Sequence, residues 1–584
     1  MKLRGKAFFV ILLLSIAVGF FSWYATQIKQ MKAVFLHASQ AEISVETLDF
    51  LVGEVSNLPQ IWPISAVKSD LVLAQSILSD SRKLQKIEEP LNNLNKIFEQ
   101  LLVLNSKTQE LLNRLQYKIA LIPRVFISSE QQKSLSAIEE KLALVKQRTA
   151  FLSGLETTLN YLYSHESRVI LLLQNTNEPR PTGGFMGSFI QIDFKKDKTF
   201  AWKFRDVYSI DRKVPMSAQS DAPEWFYGLS HKISLRDANF HPDFVQSGAE
   251  IIRLMEAAGE KSPEILGAIN LDVVGEILDL TGPIPLKKWD LVLNSANYDL
   301  VLQFLVEGKV LGRFNVKEPV LLFVKELFSP ATLSRISVEE LKKFDYEGFL
   351  KQKNIQLYSP NSAFQTLFVD WGITNQMQMK NEVDNFIKFD FVSIGANKSE
   401  KFVWTKTRLD STIFADGKVE NVLKITRNNM LRPQEIQDLL GINKWSDNMK
   451  DLLNDELLWK IGQGQNRTMV RVFVPKDAQL AFGDSVSGTV TEVEDEQFKI
   501  FEVPMFVSPG EKITATLKYY TNIKRGSLNW RPYNLQMVGT PAKSKGSFMT
   551  TIDTDTGGKF SAETFNVGRP VQLVDQFFKA VVEF

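Results

Sequence analysis

The sequence predicts a multidomain chain: a single N-terminal transmembrane helix, a helical bundle or coiled-coil segment, an α/β domain and a C-terminal β-sandwich. Three observations carry this. A basic N-terminus leads into a long charge-free run. Apolar residues then recur with helical spacing, and near residue 168 they give way to strand-like runs mixed with helices. Beyond residue 380, short strand-like runs separated by Gly and Pro turns take over. The divisions are 1–27 (cytoplasmic tail and anchor), 28–167 (helical), 168–380 (α/β) and 381–584 (β-rich, sandwich-like).

In the first division, Lys2, Arg4 and Lys6 precede a run, 7–24, without a charge. At about 1.5 Å per residue such a run nearly spans the roughly 30 Å hydrocarbon core. Trp23 and Tyr24 stand where the outer interface would lie. A cleaved signal peptide is the rival reading, but Ser22-Trp23-Tyr24-Ala25 puts an indole where small residues are needed. The expectation is a single-pass protein of the cell membrane, N-terminus inside and bulk extracytoplasmic.

The helical division carries a heptad-spaced stripe through Leu84, Ile87, Leu91, Leu94, Phe98 and Leu101, resuming at Leu112 and Leu115, with Asn105 and Thr108 as polar interruptions. Pro90 suits the first turn of a new helix. A second stripe runs through Leu135, Ile138, Leu142, Val145 and Leu152. The helices are short for a stalk, which favours an antiparallel bundle. In the α/β division, strands are expected at 169–173, 187–194, 200–208 and 265–271. Helices are expected at 245–258, from Asp272 to Gly282-Pro283, and at 298–311, 338–352 and 362–371. The last division reads as strands at 386–393, 402–414 and 418–427, the latter two joined by Asp416-Gly417, and again from 469 onward. That spacing suggests an immunoglobulin-like sandwich.

Composition bounds the chemistry. A chain of 584 residues, 44% hydrophobic and 23% charged, builds ordinary cores in three or four units. A net charge of +2 gives no basic excess for nucleic acid. The absence of cysteine removes zinc–thiolate sites, thiol nucleophiles and disulfides. The four histidines are scattered without metal-ligand spacing.

Three polar clusters are candidates for a site. The first is the loop Gln174–Gly184, where Arg180 offers a forked donor and Thr182, Gly183 and Gly184 offer backbone N–H groups to an anion. Its ordinary alternative is a turn between strands. The second is Arg205-Asp206 at a strand end, alternatively a simple ion pair. The third runs from Arg236 to Asp243 before a helix start, including Asp237 and Asn239, where Asp243 would otherwise serve as a cap. Asp206, Asp237 and Asp243 together would suit Mg²⁺.

The runs RVILLLQNTNEPRPTGGFMGSFIQI, FRDVY, RDANFHPDF and INLDVVGEILDLTGPIPL, continued by GANKSEKFVWTKT and NRTMVRVFVPKDAQL, resemble the bacterial domain-of-unknown-function family 4012. That family has no agreed activity. In the order of its elements the α/β division is also similar to the LytR–CpsA–Psr phosphotransferases, which move glycopolymers from polyprenyl pyrophosphate to the cell wall. This second resemblance implies pyrophosphate ligands at Arg180 and Arg205 and a metal ligand at Asp206. Where that family places an aspartate after its first arginine, this chain has Thr182-Gly183-Gly184, so one acidic ligand is missing.

The functional expectation is an envelope protein that binds an anionic ligand such as a lipid-linked pyrophosphate glycopolymer. The alternatives are an active phosphotransferase for cell-surface polymers, and a structural or assembly protein with no small-molecule site. Expected partners are the membrane and either a polyprenyl-linked glycopolymer or other envelope proteins, with no nucleic acid.

Overall fold

The computed structural model describes residues 94–120 and 129–583, apart from 313–314, 337–349, 382, 433–434, 443–444, 524–529, 542–544, 555–558 and 563–570, together with Leu73, Ser76, Ile77, Ser79 and Asp80.

Two long helices, α1 (Leu94–Ala120) and α2 (Ser129–Ser164), come first and pack antiparallel. Asn105, which interrupts the apolar stripe, is buried between them and donates to the Thr149 carbonyl at 3.1 Å and to Ser153 Oγ at 2.9 Å. The end of α2 is held against the next domain, with the Phe151 and Trp371 rings 4.4 Å apart.

A five-stranded sheet follows, in the order β3-β2-β1-β4-β5: β1 (Arg168–Arg180), β2 (Gly183–Phe194), β3 (Phe200–Asp206), β4 (Ile265–Asn270) and β5 (Ile355–Tyr358). β1 is central, antiparallel to β2 and parallel to β4. Its alternating side chains feed two cores, which is why its sequence is apolar without a break. Val169 and Leu171 pack with α5 (Leu271–Thr281), α6 (Tyr298–Glu307), α7 (Glu318–Leu327) and α8 (Ser362–Asp370). Ile170 and Leu172 pack with α3 (Val207–Asp211) and α4 (Phe244–Ala257) on the other face. The result is three layers, helices on both faces of one sheet.

The C-terminal part is a sandwich of a seven-stranded and a six-stranded sheet. Its strands are β6 (Asn385–Ser393), β7 (Val403–Ile413), β8 (Lys418–Asn429), β9 (Asn466–Pro475), β10 (Gln479–Asp484), β11 (Thr491–Glu494), β12 (Phe498–Val507), β13 (Lys512–Asn522), β14 (Trp530–Val538), β15 (Gly546–Thr554), β16 (Lys559–Ala562), β17 (Val571–Gln572) and β18 (Gln576–Glu583). The orders are β11-β12-β9-β6-β14-β18-β16 and β10-β13-β8-β7-β15-β17. Inward-facing residues such as Phe389, Leu423, Val472 and Leu517 meet between the sheets. Two sheets of this size exceed the seven to nine strands of an immunoglobulin domain.

One expectation is corrected. Among the described residues no helix is long and apolar enough to cross a membrane, and the run 7–24, where a transmembrane anchor was expected, lies outside them. The single-pass, signal-anchor location in the cell membrane is therefore set aside, and the fold class is α-helical pair, α/β/α layers and β-sandwich. The division 381–584, expected to be β-rich, holds helices as well as strands. Helical turns between 435 and 463 interrupt the sandwich, and Ile436, Leu440, Trp445, Leu457 and Ile461 pack into the α/β core. The helix starts expected at Pro90 and Val338 also lie outside the described residues.

Candidate functional site

β1 and β4 end together: Gln174 is the register partner of Asn270, and α5 begins at the next residue. The carboxyl ends of adjacent parallel strands leave a crevice where the chain turns away, and ligands of α/β sheets collect there. The polar loop after Leu173 is built at this point.

Most of the residues expected to face a ligand are spent on building that corner. Gln174 Oε1 accepts from Thr182 Oγ1 (2.9 Å), the Gly184 N–H (3.1 Å) and Asn239 Nδ2 (3.1 Å). Asn239 Nδ2 also lies 2.9 Å from Thr182 Oγ1 and from the Gly184 carbonyl. The network is buried, so Thr182, Gly184 and Asn239 tie the TGGF and DANF runs to each other rather than to a ligand. The glycines are steric requirements. A Cβ on Gly184 would lie 2.2 Å from the Asn175 carbonyl, and one on Gly183, at φ 140°, would lie 2.1 Å from Asn270 Oδ1.

Arg180 is 3% exposed. Its Nε and Nη2 donate to Asp237 Oδ1 at 3.1 and 2.9 Å, and its Nη1 to the carbonyls of Pro179 and Ser393, each at 3.1 Å. The guanidinium sits 5.5 Å from the Phe185 ring centroid and 5.6 Å from that of Phe226. Its fork is thus filled by the protein, and the bond to Ser393 fastens the α/β layers to β6. Arg205 lies elsewhere. It pairs with Glu260 at 2.7 and 2.8 Å and with Gln191 at 2.9 Å, and its hydrogen bonds hold the Glu260 carboxyl below its ordinary range.

The Mg²⁺ expectation does not fit this geometry. Asp206 caps α3 through the Tyr208 N–H, Asp237 is taken by Arg180, and Asp243 accepts from the N–H groups of Val245 and Met377. Among the described residues no group of three His, Asp or Glu could hold a metal ion.

What the corner does enclose is a cavity of about 580 Å³ between the sheet and α5–α7. One part of its wall is aliphatic and aromatic: Ile190, Val274, Ile277, Leu302, Phe323 and Leu327 among others. Another part is an ionic chain. Arg236 pairs with Asp237 (3.5 Å), Asp237 with Arg180 (2.9 Å), Arg180 with Glu178 (3.6 Å), Glu178 with Lys398 (3.3 Å) and Lys398 with Glu307 (3.1 Å). Burial alone would push the Lys398 ammonium down, but Glu178 and Glu307 more than offset it and hold it well up.

Lys317 breaks the pattern. Its ammonium lines the same cavity, 3.0 Å from where a Cβ on Gly187 would sit, and makes no hydrogen bond or ion pair with any described residue. Burial, and then the nearby charge of Lys398, push its pKa down. Lys317, Lys398 and Glu307 were absent from the sequence-based set. Lys398 lay in the GANKSE run, but nothing in the local pattern around Lys317 marks it.

A second cavity, about 550 Å³, lies beyond Arg180, Tyr298 and Asp299, which line both. It is more polar, with Asp272, Glu276 and Asp279 along α5 and with Lys401 and Lys545 from the sandwich. The Asp272 carboxyl is pushed up to about 6 by burial and then by Asp299.

A search of curated proteins finds no match. Among solved structures, a candidate nutrient binding protein from Legionella pneumophila is 6% identical, with a TM-score of 0.19 over 34% of this chain and 71% of its own. An M1 zinc metallopeptidase from Deinococcus radiodurans is 10% identical, with a TM-score of 0.18 over 32% of this chain and 43% of its own. At such scores neither likeness bears on the fold or the function. One family model matches, over residues 165–305, a stretch that takes in β1–β4, α3–α5 and most of α6 and thus much of the cavity wall. Residues 165–305 belong to the family described as a protein of unknown function, DUF4012.

Proposed function

We propose that the α/β layers bind an amphiphile with an anionic head and an apolar tail, the chemistry of a lipid-linked phosphate or pyrophosphate. The observation that carries this reading is the pairing, in one cavity, of an apolar wall with a lysine ammonium that forms no ion pair or hydrogen bond with any described residue. Lys317 is only partly buried, and Glu307, Asp206 and Glu178 act on its ammonium through space, yet none of them forms an ion pair with it. A half-buried cation held this way gains from an anion in direct contact. Every other charged group of the ionic chain has a partner, so Lys317 is the group an incoming anion would complete. The similarity in element order to the LytR–CpsA–Psr family points to the same ligand class. The scattered carboxylates and the Thr182-Gly183-Gly184 departure supply no phosphoryl-transfer step, and the reading is binding alone.

Farnesyl pyrophosphate is a short probe of this class. Calorimetry on the full chain should show saturable binding, and farnesol, which lacks the anion, should bind far more weakly. Lys317→Met should cost about 1.5–3 kcal/mol, the usual worth of a charge-assisted hydrogen bond. Equal affinity for farnesol and its pyrophosphate, or an unchanged affinity in Lys317→Met, would overturn the proposal.

A further inference from the structure

The same cavity holds two side-chain amides whose hydrogen-bonding groups are left over. Gln174 is 1% exposed and Gln303, on α6, is 7% exposed; both line the cavity. Gln174 Nε2 and both amide atoms of Gln303 have no hydrogen-bond partner. The orientation of Gln174 is fixed chemically. Its oxygen must face the Gly184 N–H, which can only donate, so the free atom is the NH₂. Native proteins seldom leave buried polar atoms unpaired, and three such atoms in one cavity wall ask for a partner that the chain itself does not provide.

A plain hydrocarbon tail would not answer them. Gln303 sits on α6 between Leu302 and Val306, aliphatic residues of the same wall, and one turn before Glu307, which pairs with Lys398. It thus stands near the ionic chain, at the boundary between the charged and apolar parts of the lining. An amide with both its N–H and its C=O free is complemented by a neutral group that both donates and accepts, and the Gln174 NH₂ calls for a further acceptor.

We infer that the ligand carries, between its anion and its tail, a neutral group that donates and accepts hydrogen bonds, an amide or a hydroxyl, and that Gln303 with Gln174 selects for it. This rests on the reading of the cavity as an anionic-amphiphile site and narrows the ligand class within it. Simple alkyl phosphates and fatty acids fall outside the preferred class.

Three phosphates of similar length separate the possibilities: undecyl phosphate with no such group, N-octanoylethanolamine phosphate with an amide, and 1-octanoylglycerol 3-phosphate with a hydroxyl. Titrated into the full chain, the amide or the hydroxyl compound should bind at least tenfold more tightly than undecyl phosphate, and which of the two leads names the group. Gln303→Leu should shrink that ratio to near one. Gln303→Met, unbranched and of similar length, gives the same readout if leucine perturbs folding. Undecyl phosphate binding as tightly as both others, or a ratio that survives both substitutions, would overturn the inference while leaving the anionic-amphiphile site in place. Failure of all three to bind would remove that site and the inference with it.

Discussion

Asp272 shows how one residue's surroundings set its chemistry. It stands in the first turn of α5, where a carboxylate is usually welcome, yet its Oδ2 is buried without a partner. Burial first and then Asp299 raise its pKa from 3.8 to about 6, while Lys545 and Lys401 pull the other way and Glu276 adds to the rise. The folded protein therefore holds this proton more tightly than the unfolded chain does. Its contribution favours the fold below about pH 4 and is lost as pH rises through 6, by at most about 3 kcal/mol at 1.36 kcal/mol per pH unit. Asp272→Asn should accordingly raise the denaturant midpoint at pH 7.5 and make no difference near pH 4. A midpoint that falls at pH 7.5 would mean that Lys545 depends on this carboxylate more than burial penalises it. Arg180 carries the complementary lesson. A forked cation in a Gly-rich loop reads as a ligand group, and here the fork is filled by Asp237 and two carbonyls.

Among the elements, the β1–β2 hairpin has the tightest steric terms. Arg180 pairs with Gly183, and Gly184 packs so closely on Asn175 that no side chain fits. Because the obstacle is backbone rather than a movable side chain, Gly184→Ala must spread the two strands and disturb the Gln174–Thr182–Asn239 network. Overpacking of this kind costs about 1–3 kcal/mol, so thermal unfolding should shift down by several degrees. An unshifted melting temperature would show that the corner is looser than this packing implies. Central strands read well from sequence, because a run such as Val169–Leu173 has to be apolar on both faces. The Asp416-Gly417 turn between β7 and β8 read equally well, since positive φ at Gly417 limits the choice of residue. The helical turns at 435–463 did not, because they are too short to show a period.

Across the whole molecule, the α/β layers and the sandwich are not independent. Arg180 donates to Ser393, Lys401 bonds Asp299 at 2.5 Å, Lys353 bonds Asp575 at 2.8 Å, and Lys398 reaches from the sandwich side into the cavity wall. Trp445 packs its ring 4.6 Å from Phe304 of α6. A fragment of residues 381–584 should therefore give a β-type circular dichroism spectrum, bind an apolar dye and melt broadly, because the face formed by Ile436, Trp445 and Leu457 has lost its cover. A sharp melt without dye binding would show that the sandwich folds without that contact.

The sequence alone determined what depends on neighbours along the chain: strands from apolar runs, turns from glycine, a cap from Asp243, and the resemblance that the match over 165–305 bears out. Tertiary structure decided which groups are left over. Whether Arg180 or Lys317 is free for an anion depends on where Asp237 and Lys398 arrive, Asp237 from 57 residues beyond Arg180 and Lys398 from 220 residues beyond Glu178 of the same loop. Charge pairing acts through space over a few ångströms. No local pattern marks a cation that has been left without a partner.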